Sequence, residues 1–248
     1  MTSRNKDERT ISLHALCRMA PGIAAGMGDP AAHGRLLQVA CAAILAGTLC
    51  YGFTMGIWRS PLQGLYSALK MPLLFFAVVA ASALINTMLA QVMGARLSLR
   101  AVCMLILTAM AVTAILLGAL SPVALFFTLQ VPAPADGLEG LPVSDPAVQP
   151  SLHVFRMLLL LHVGIIGLAG LVGNLKLLHL LVDLLKSRRH ALRVLAAWIL
   201  VTGFVGCELS WLFSPFLCKP NFPAHFVART YSEGNFYEHI YHALLELP

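Results

Sequence analysis

The sequence predicts an all-α fold: a polytopic α-helical membrane protein with about five transmembrane helices and a short interfacial helix before the second. Hydrophobic residues make up 58% of the chain and charged residues 11%, against roughly half and a quarter in a soluble domain. Five apolar runs are each long enough to cross a hydrocarbon core of about 30 Å. Lysine and arginine lie in short blocks beside these runs, without the aromatic and basic surface pattern of nucleic-acid binding. The predicted partner is therefore the lipid bilayer, and not nucleic acid.

The apolar pattern divides the chain into a cytoplasmic basic tail, a five-helix transmembrane domain and an exterior amphipathic aromatic tail, at residues 1–35, 36–217 and 218–248. The spans are predicted at about residues 36–58, 71–92, 101–127, 154–181 and 194–216. The first span covers about 34 Å as a helix. Residues 131–150 are rich in proline and glycine and contain no lysine or arginine. This composition predicts an extended exterior loop.

The segment before the second span has helix signals of its own. Ser60 is a favourable N-cap and Pro61 suits the first helical position. Apolar residues follow at helical spacing, namely Leu62, Leu65, Tyr66 and Leu69. We predict a short helix lying on the membrane surface. Pro72 then opens the second span, where its missing N–H is not needed.

The orientation is predicted from the basic residues, because cytoplasmic loops carry an excess of lysine and arginine. They concentrate in the N-terminal tail and in the second-to-third and fourth-to-fifth connections, as Arg4, Lys6, Arg9, Arg18, Arg35, Arg96, Arg100, Lys186, Arg188, Arg189 and Arg193. Five spans place these three segments on one side. We predict a cytoplasmic N-terminus and an exterior C-terminus in a bacterial inner membrane.

Glycines recur in the fourth span at every third position, as Gly164, Gly167, Gly170 and Gly173. Gly206 and Ser210 form a small-xxx-small pair in the fifth span. This glycine series winds around the helix, so it predicts close approach by more than one neighbour. Ala169 and Gly173 form a second small-xxx-small pair, and the two pairs together predict close packing of the fourth span against the fifth. The alternative is a broken helix that lines a transport path.

Two amides and two other polar side chains fall within the predicted spans, at Asn86, Asn174, Thr87 and His162. Such groups usually form hydrogen bonds between helices worth about 0.6 kcal/mol each. Near the cytoplasmic end of the fourth span, a polar stripe comprises Lys176, His179 and Asp183. We interpret it as a solvated helix end with a snorkelling lysine.

Glu208 interrupts the fifth span in the outer third of the membrane, about 21 Å from the cytoplasmic end. A charge at the membrane centre costs about 2.5 to 3.5 kcal/mol, and a partner of opposite charge reduces that cost. Lys70 lies at a similar depth, and Arg156 begins the fourth span. We predict that one of these cations pairs with Glu208.

The residues that carry enzyme chemistry in other proteins do not form a recognisable set in this sequence. Nucleophile–base pairs, paired carboxylates, phosphate loops and cofactor motifs are missing, so we predict no catalytic residues and no cofactor. Six cysteines lie mainly in apolar runs and predict no disulfide framework. His225, His239 and His242 lack the spacing and partners of a zinc site, so we predict no metal.

Five spans with this orientation, the amphipathic lead "LYSALKMPLLFF" and the sequence "LAQVMGARLSLRAV" entering the third span resemble bacterial Yip1-like membrane proteins. The resemblance covers roughly residues 50–215. It implies a five-span fold and, by way of eukaryotic relatives, a link to membrane trafficking and small-GTPase partners. The DLYGP and GYS-type motifs of those relatives are absent here, so no residue role carries over.

These observations predict an integral membrane scaffold or interaction protein. Its expected partners are lipid and either other membrane proteins or further copies of itself. The alternative is a small-solute transporter or channel subunit with Glu208 and Lys70 in the path. Against the transporter, five unequal spans do not show inverted repeats or paired broken helices.

Overall fold

The computed structural model describes residues 30–226 and 236–245 and consists there of helices and connecting segments, without strands. The helices are α1 Pro30–Gly56, α2 Pro61–Val92, α3 Leu99–Gln130, α4 Gln149–Leu185, α5 Arg188–Leu212 and α6 Phe236–Leu245. The first five are long and apolar enough to cross a membrane. The prediction of an all-α protein with five candidate spans is therefore confirmed.

Serine caps set the beginnings of three of the long helices. The Ser60 hydroxyl accepts a hydrogen bond from the backbone N–H of Gln63 at 3.1 Å. Ser98 and Ser187 cap α3 and α5 in the same way. An N-cap satisfies one of the backbone donors that a helix start leaves unpaired. The connection between α4 and α5 is short, with only residues 186 and 187 joining the two helices.

The helix α3 lies at the centre of the bundle and is the most buried of the five. It packs between α1 and α4, while α2 packs on α1 and α5 packs on α2 and α4. Small residues permit the closest approaches. A Cβ at Gly47 of α1 would overlap the carbonyl of Ala114 in α3, and Gly118 of α3 lies against Gly47. By contrast, α4 and α5 leave most of their surface outside the bundle.

The predicted interfacial helix differs from the structure, because residues 61–70 form the first turns of a continuous α2 that passes through Pro72. The apolar stripe of Leu62, Leu65 and Leu69 is about half exposed and faces away from the bundle. The opposite face packs inside, with Gln63, Ser67 and Lys70 at 0%, 0% and 1% exposure. This segment therefore enters the bundle by its polar face.

The helix ends also differ from the predicted spans by several residues. At 37 residues, α4 is about 56 Å long, so it extends well beyond a hydrocarbon core of about 30 Å. The fifth helix stops at Leu212, short of the predicted 216. Residues 1–29 of the predicted basic tail, and residues 227–235 and 246–248 of the predicted aromatic tail, lie outside the described residues.

The five long helices alternate in direction, which gives the bundle two distinct ends. We call one the loop end; it carries residues 57–60, 131–148 and 213–226. The other, the basic end, carries residues 93–98 and 186–187 together with Arg96, Arg100, Arg188 and Arg189. At the loop end, Arg59 forms an ion pair with Glu139 at 2.7 Å and donates to the carbonyl of Phe222.

Candidate functional site

A cavity of about 530 Å³ opens between α4 and α5. Its floor is formed by α2 and α3, and its loop end is closed by residues 214–219. Most of its lining is apolar, with aliphatic and aromatic side chains that include Met71, Phe75, Val78, Ile106, Met110, Phe155, Leu159, Ile166, Leu177, Ile199 and Trp211. Volume and apolar lining are typical of a small-molecule site. We take this cavity as the candidate site.

Glycines widen the cavity where tight helix packing was predicted. A Cβ added at Gly167 or Gly170 of α4, or at Gly203 of α5, would meet no atom within 4 Å. All three line the cavity. Because a side chain at these positions would project into the space, glycine leaves this part of the cavity open.

The remaining glycines of the predicted packing set behave in three different ways. Gly173 packs closely, but on α3, where an added Cβ would overlap Thr113 Oγ1 and lie 2.7 Å from the carbonyl oxygen of Ala109. At Gly206 a Cβ would lie 3.8 Å from Val78 of α2. Gly164 has open space and lies outside the cavity lining. Close approach is therefore present at Gly173, where the neighbour is α3, and absent at Gly164, Gly167 and Gly170.

Three buried polar side chains of α2 fasten the segment that closes the loop end; we call them the α2 staple. Gln63 Nε2 donates to the carbonyl of Pro215 at 3.0 Å. Ser67 Oγ donates to the carbonyl of Phe216 at 2.5 Å, and Lys70 Nζ donates to the carbonyl of Pro215 at 2.9 Å. The staple satisfies backbone carbonyls of a non-helical segment, which would otherwise be costly in an apolar setting.

The predicted ion pair of Glu208 is absent from the described residues. Lys70 instead combines its hydrogen bond to Pro215 with the faces of two aromatic rings, 5.1 Å from the centroid of Phe226 and 5.9 Å from that of Phe216. Cation–π contacts of this kind partly replace lost hydration. Glu208 lies half-buried on α5 near Tyr237 of α6. No ion pair joins it to Arg156 in the described part either.

The closing segment places two further groups at the loop end of the cavity. Lys219 lines the cavity and is half-buried. Burial and the nearby Arg156 guanidinium both lower the pKa of the Lys219 ammonium. Cys218 also lines the cavity, is 1% exposed and lies 3.3 Å from the carbonyl oxygen of Pro223. Among the described residues that line the cavity, Lys219 is therefore the one with a charged side chain.

Two of the predicted polar residues form hydrogen bonds between helices. Asn86 Nδ2 donates to Thr202 Oγ1 of α5 at 2.9 Å. His162 Nδ1 lies 3.0 Å from the hydroxyl of Tyr51, and both side chains are fully buried. Thr202 also lines the cavity, so the Asn86 contact fixes part of its wall.

The other predicted polar residues bond within their own helices or differ from the prediction. Asn174 lines the cavity and donates to the carbonyl of Gly170, while Thr87 donates to that of Ala83. Lys176 is 4% exposed, so it does not snorkel from a solvated helix end. His179 and Asp183, in the next two turns of α4, lie at the surface.

Sequence reasoning found Lys70 but missed Gln63 and Ser67. The signal was present, because the three residues recur at i, i+4 and i+7 and therefore share one face of a helix. In residues 30–226 and 236–245, no three His, Cys, Asp or Glu side chains lie together as a metal site. No protein-family model, curated protein or solved structure matches the chain.

Proposed function

We propose that this integral membrane protein binds an amphiphile and holds its apolar chain in the cavity between α4 and α5. The observation that carries the proposal is the glycine-walled cavity of about 530 Å³. Apolar side chains and open glycines suit methylene groups, which need no hydrogen-bond partner. The proposed role is binding, without catalytic chemistry.

A path for polar solutes has less support from the lining. Lys70 and Glu208, the two residues predicted for such a path, are not among the residues that line the cavity. Lys70 donates a hydrogen bond to the carbonyl of Pro215, which lines the cavity, while Lys70 itself does not. Ions and sugars would therefore meet a predominantly apolar wall, where loss of hydration is costly.

Photolabelling tests the proposed occupant. The probe is hexadecanoate with a diazirine near its methyl end, added to the purified full chain in phosphatidylcholine nanodiscs. We expect saturable labelling of α4 between residues 163 and 177 and of α5 between residues 199 and 211. Labelling that rises linearly with probe and falls equally on the exposed leucines of α1, such as Leu37 and Leu45, would contradict the proposal.

A scaffold role is the second candidate, and Gly164 favours it. This glycine has open space around it and lies on the outer surface of α4, where a partner helix can approach closely. A resemblance to Yip1-like proteins and a location in a bacterial inner membrane are part of this second proposal. Disulfide or bifunctional cross-linking of Gly164→Cys in native membranes tests it, and monomer alone would count against it.

We also propose that the loop end faces the exterior and the basic end faces the cytoplasm. The support is the clustering of arginine at residues 96, 100, 188 and 189 at the basic end. Positively charged connections of this kind are retained in the cytoplasm.

A further inference from the structure

The apolar cavity has polar side chains on both of its facing walls, Thr202 on α5 and Asn174 on α4. We infer that the bound amphiphile carries a hydroxyl group partway along its chain, and that Thr202 and Asn174 form hydrogen bonds with it. This inference rests on the proposed function, and it adds the chemical class of the ligand and the residues that recognise it.

Thr202 differs from the other threonines in the described helices. Each of the others donates its hydroxyl hydrogen to the carbonyl four residues earlier in its own helix, namely Thr48, Thr54, Thr87, Thr108, Thr113 and Thr128. Within residues 30–226 and 236–245, the Thr202 hydroxyl donates to no such carbonyl and only accepts a bond, from Asn86. Because Thr202 lines the cavity, its hydrogen is available to a ligand.

Asn86 determines how the Thr202 hydroxyl is used. Its Nδ2 donates to Thr202 Oγ1 at 2.9 Å, so the hydroxyl hydrogen of Thr202 points away from this bond. The Asn86 side chain is 0% exposed, and its Oδ1 is buried without a hydrogen-bond partner among the described residues. Buried polar groups are normally satisfied. The pair of Asn86 and Thr202 is therefore short of partners, and a polar group of the ligand completes it.

Asn174 lies at nearly the same depth on the facing wall. Its Nδ2 donates to the carbonyl of Gly170 at 2.9 Å, and its Oδ1 accepts no hydrogen bond within the described part of the chain. Residues 186 and 187 join the two helices, and Asn174 and Thr202 lie about 18 Å and 22 Å from that connection along α4 and α5. A hydroxyl both donates and accepts, so it can bond Asn174 and Thr202 together.

Open glycines leave room for a ligand group at this depth. Gly170 lies one turn from Asn174 on the same face of α4, and Gly203 directly follows Thr202 on α5. A Cβ added at either glycine would meet no atom within 4 Å, and both glycines line the cavity. The ligand chain can therefore approach the two polar side chains without displacing protein atoms.

The position of Thr202 along α5 sets where the hydroxyl lies on the chain. This helix covers residues 188–212, so Thr202 lies two residues from its middle and close to the bilayer midplane. The midplane is about 15 Å from either surface of the hydrocarbon core. An extended chain covers about 1.2 Å per bond, so about twelve bonds separate a headgroup at the surface from a hydroxyl beside Thr202. In lipid, a hydroxyl at that depth has no hydrogen-bond partner, which favours its transfer to the protein.

The test compares three probes of one chain length on the full chain in phosphatidylcholine nanodiscs. They are octadecanoate, 12-hydroxyoctadecanoate and 3-hydroxyoctadecanoate, in which the hydroxyl stays near the headgroup. Each displaces the photoactivatable hexadecanoate, and affinity is expressed per mole fraction of probe in the bilayer. Hydrogen bonds between membrane helices correspond to about threefold each in an equilibrium constant. With two such bonds, 12-hydroxyoctadecanoate should bind about fivefold or more tightly than the other two probes.

Variants locate the recognition of the hydroxyl. Thr202→Val keeps the shape of the side chain and should bring 12-hydroxyoctadecanoate within about twofold of octadecanoate, while Thr202→Ser should retain the preference. Asn174→Ala should lower the preference about threefold. The matched control is Ser210→Ala, which removes a hydroxyl of the same helix and cavity that already bonds to Cys207, and should leave the preference unchanged. Should Thr202→Val fail to fold, Asn174→Ala and the wild-type probe series decide.

The hydroxyl inference and the proposed function fail separately. Equal affinity for the three probes in the wild type, or a preference that persists in both Thr202→Val and Asn174→Ala, overturns the hydroxyl inference and leaves chain binding standing. An equal loss of preference in Ser210→Ala and Thr202→Val overturns it as well. Absence of saturable displacement by every probe overturns the proposed function itself.

Discussion

Lys70 Nζ of α2 lies 2.9 Å from the carbonyl oxygen of Pro215, fully inside the protein. The contact joins the start of α2 to the segment that closes the cavity. Gln63 donates to the same carbonyl, so this oxygen has two donors. The ammonium is therefore one of several attachments of the closing segment, and its charge is not matched by a carboxylate among the described residues.

We expect Lys70→Met to be tolerated. Burial of a lysine ammonium costs several kcal/mol, and a methionine of similar length removes that cost while Gln63 still serves the Pro215 carbonyl. The free energy of unfolding should change by less than about 1.5 kcal/mol. Lys70→Ala should lose about 2 to 5 kcal/mol, because it leaves a cavity. Equal losses in both variants, measured by denaturant unfolding in micelles, would mean that the charge itself is required.

The α2 staple also predicts how readily the closing segment, residues 214–219, opens. Ser67→Ala removes the donor to the Phe216 carbonyl and should cost about 1 to 2 kcal/mol. Its matched control is Ser82→Ala on the same helix, whose hydroxyl bonds only to its own helix at Val78. In a chain where Cys218 is the one cysteine left, a maleimide should react faster after Ser67→Ala than after Ser82→Ala. Equal rates would show that the staple does not hold the segment.

Two glycines three residues apart on α4 should respond oppositely to alanine. Gly173→Ala forces α4 away from α3, because the Cβ overlaps Thr113, and should cost about 1 to 3 kcal/mol. Gly170→Ala meets open space and should leave stability unchanged or raise it by up to about 1 kcal/mol. Thermal unfolding of both variants under the same conditions checks this. Similar destabilisation by both would mean that α4 packs tightly at Gly170.

The proposed orientation predicts opposite labelling of two exposed serines. Ser144 lies in the long connection at the loop end, and Ser187 lies between α4 and α5 at the basic end. In a cysteine-free chain, Ser144→Cys should react with a membrane-impermeant maleimide from outside intact cells. Ser187→Cys should react only after lysis. Reaction of Ser187→Cys in intact cells would reverse the topology.

The sequence predicts where the helices lie along the chain better than it predicts which helices pack together. Ser60 and Pro61 indicated the start of a helix, and the apolar runs indicated five spans. The face of each helix could not be derived in the same way, because lipid and protein interior are both apolar. The spacing of Leu62, Leu65 and Leu69 therefore fits a separate helix on the membrane surface. In the structure the same three leucines belong to the continuous α2 and point away from the bundle.

The site depended on contacts between distant parts of the chain. The sequence shows the glycines of α4 but not their distance from neighbouring helices. The interpretation of these glycines as packing positions is wrong at Gly167 and Gly170, where the space is open. The sequence predicts Lys70 as a cation within the membrane and an acidic side chain as its partner. The actual partner is a backbone carbonyl at Pro215, which no residue type in the sequence reveals.

Filling the cavity tests the central claim most directly. Gly170→Leu places a side chain in the open space of the α4 wall, and Gly164→Leu places the same side chain on the outer surface of the same helix. The measurement is the saturable binding of the photoactivatable hexadecanoate to each variant in nanodiscs. We predict that Gly170→Leu weakens binding about tenfold or more, while Gly164→Leu stays within about twofold of the wild type. Unchanged binding by Gly170→Leu, or an equal loss in both variants, would contradict chain binding between α4 and α5.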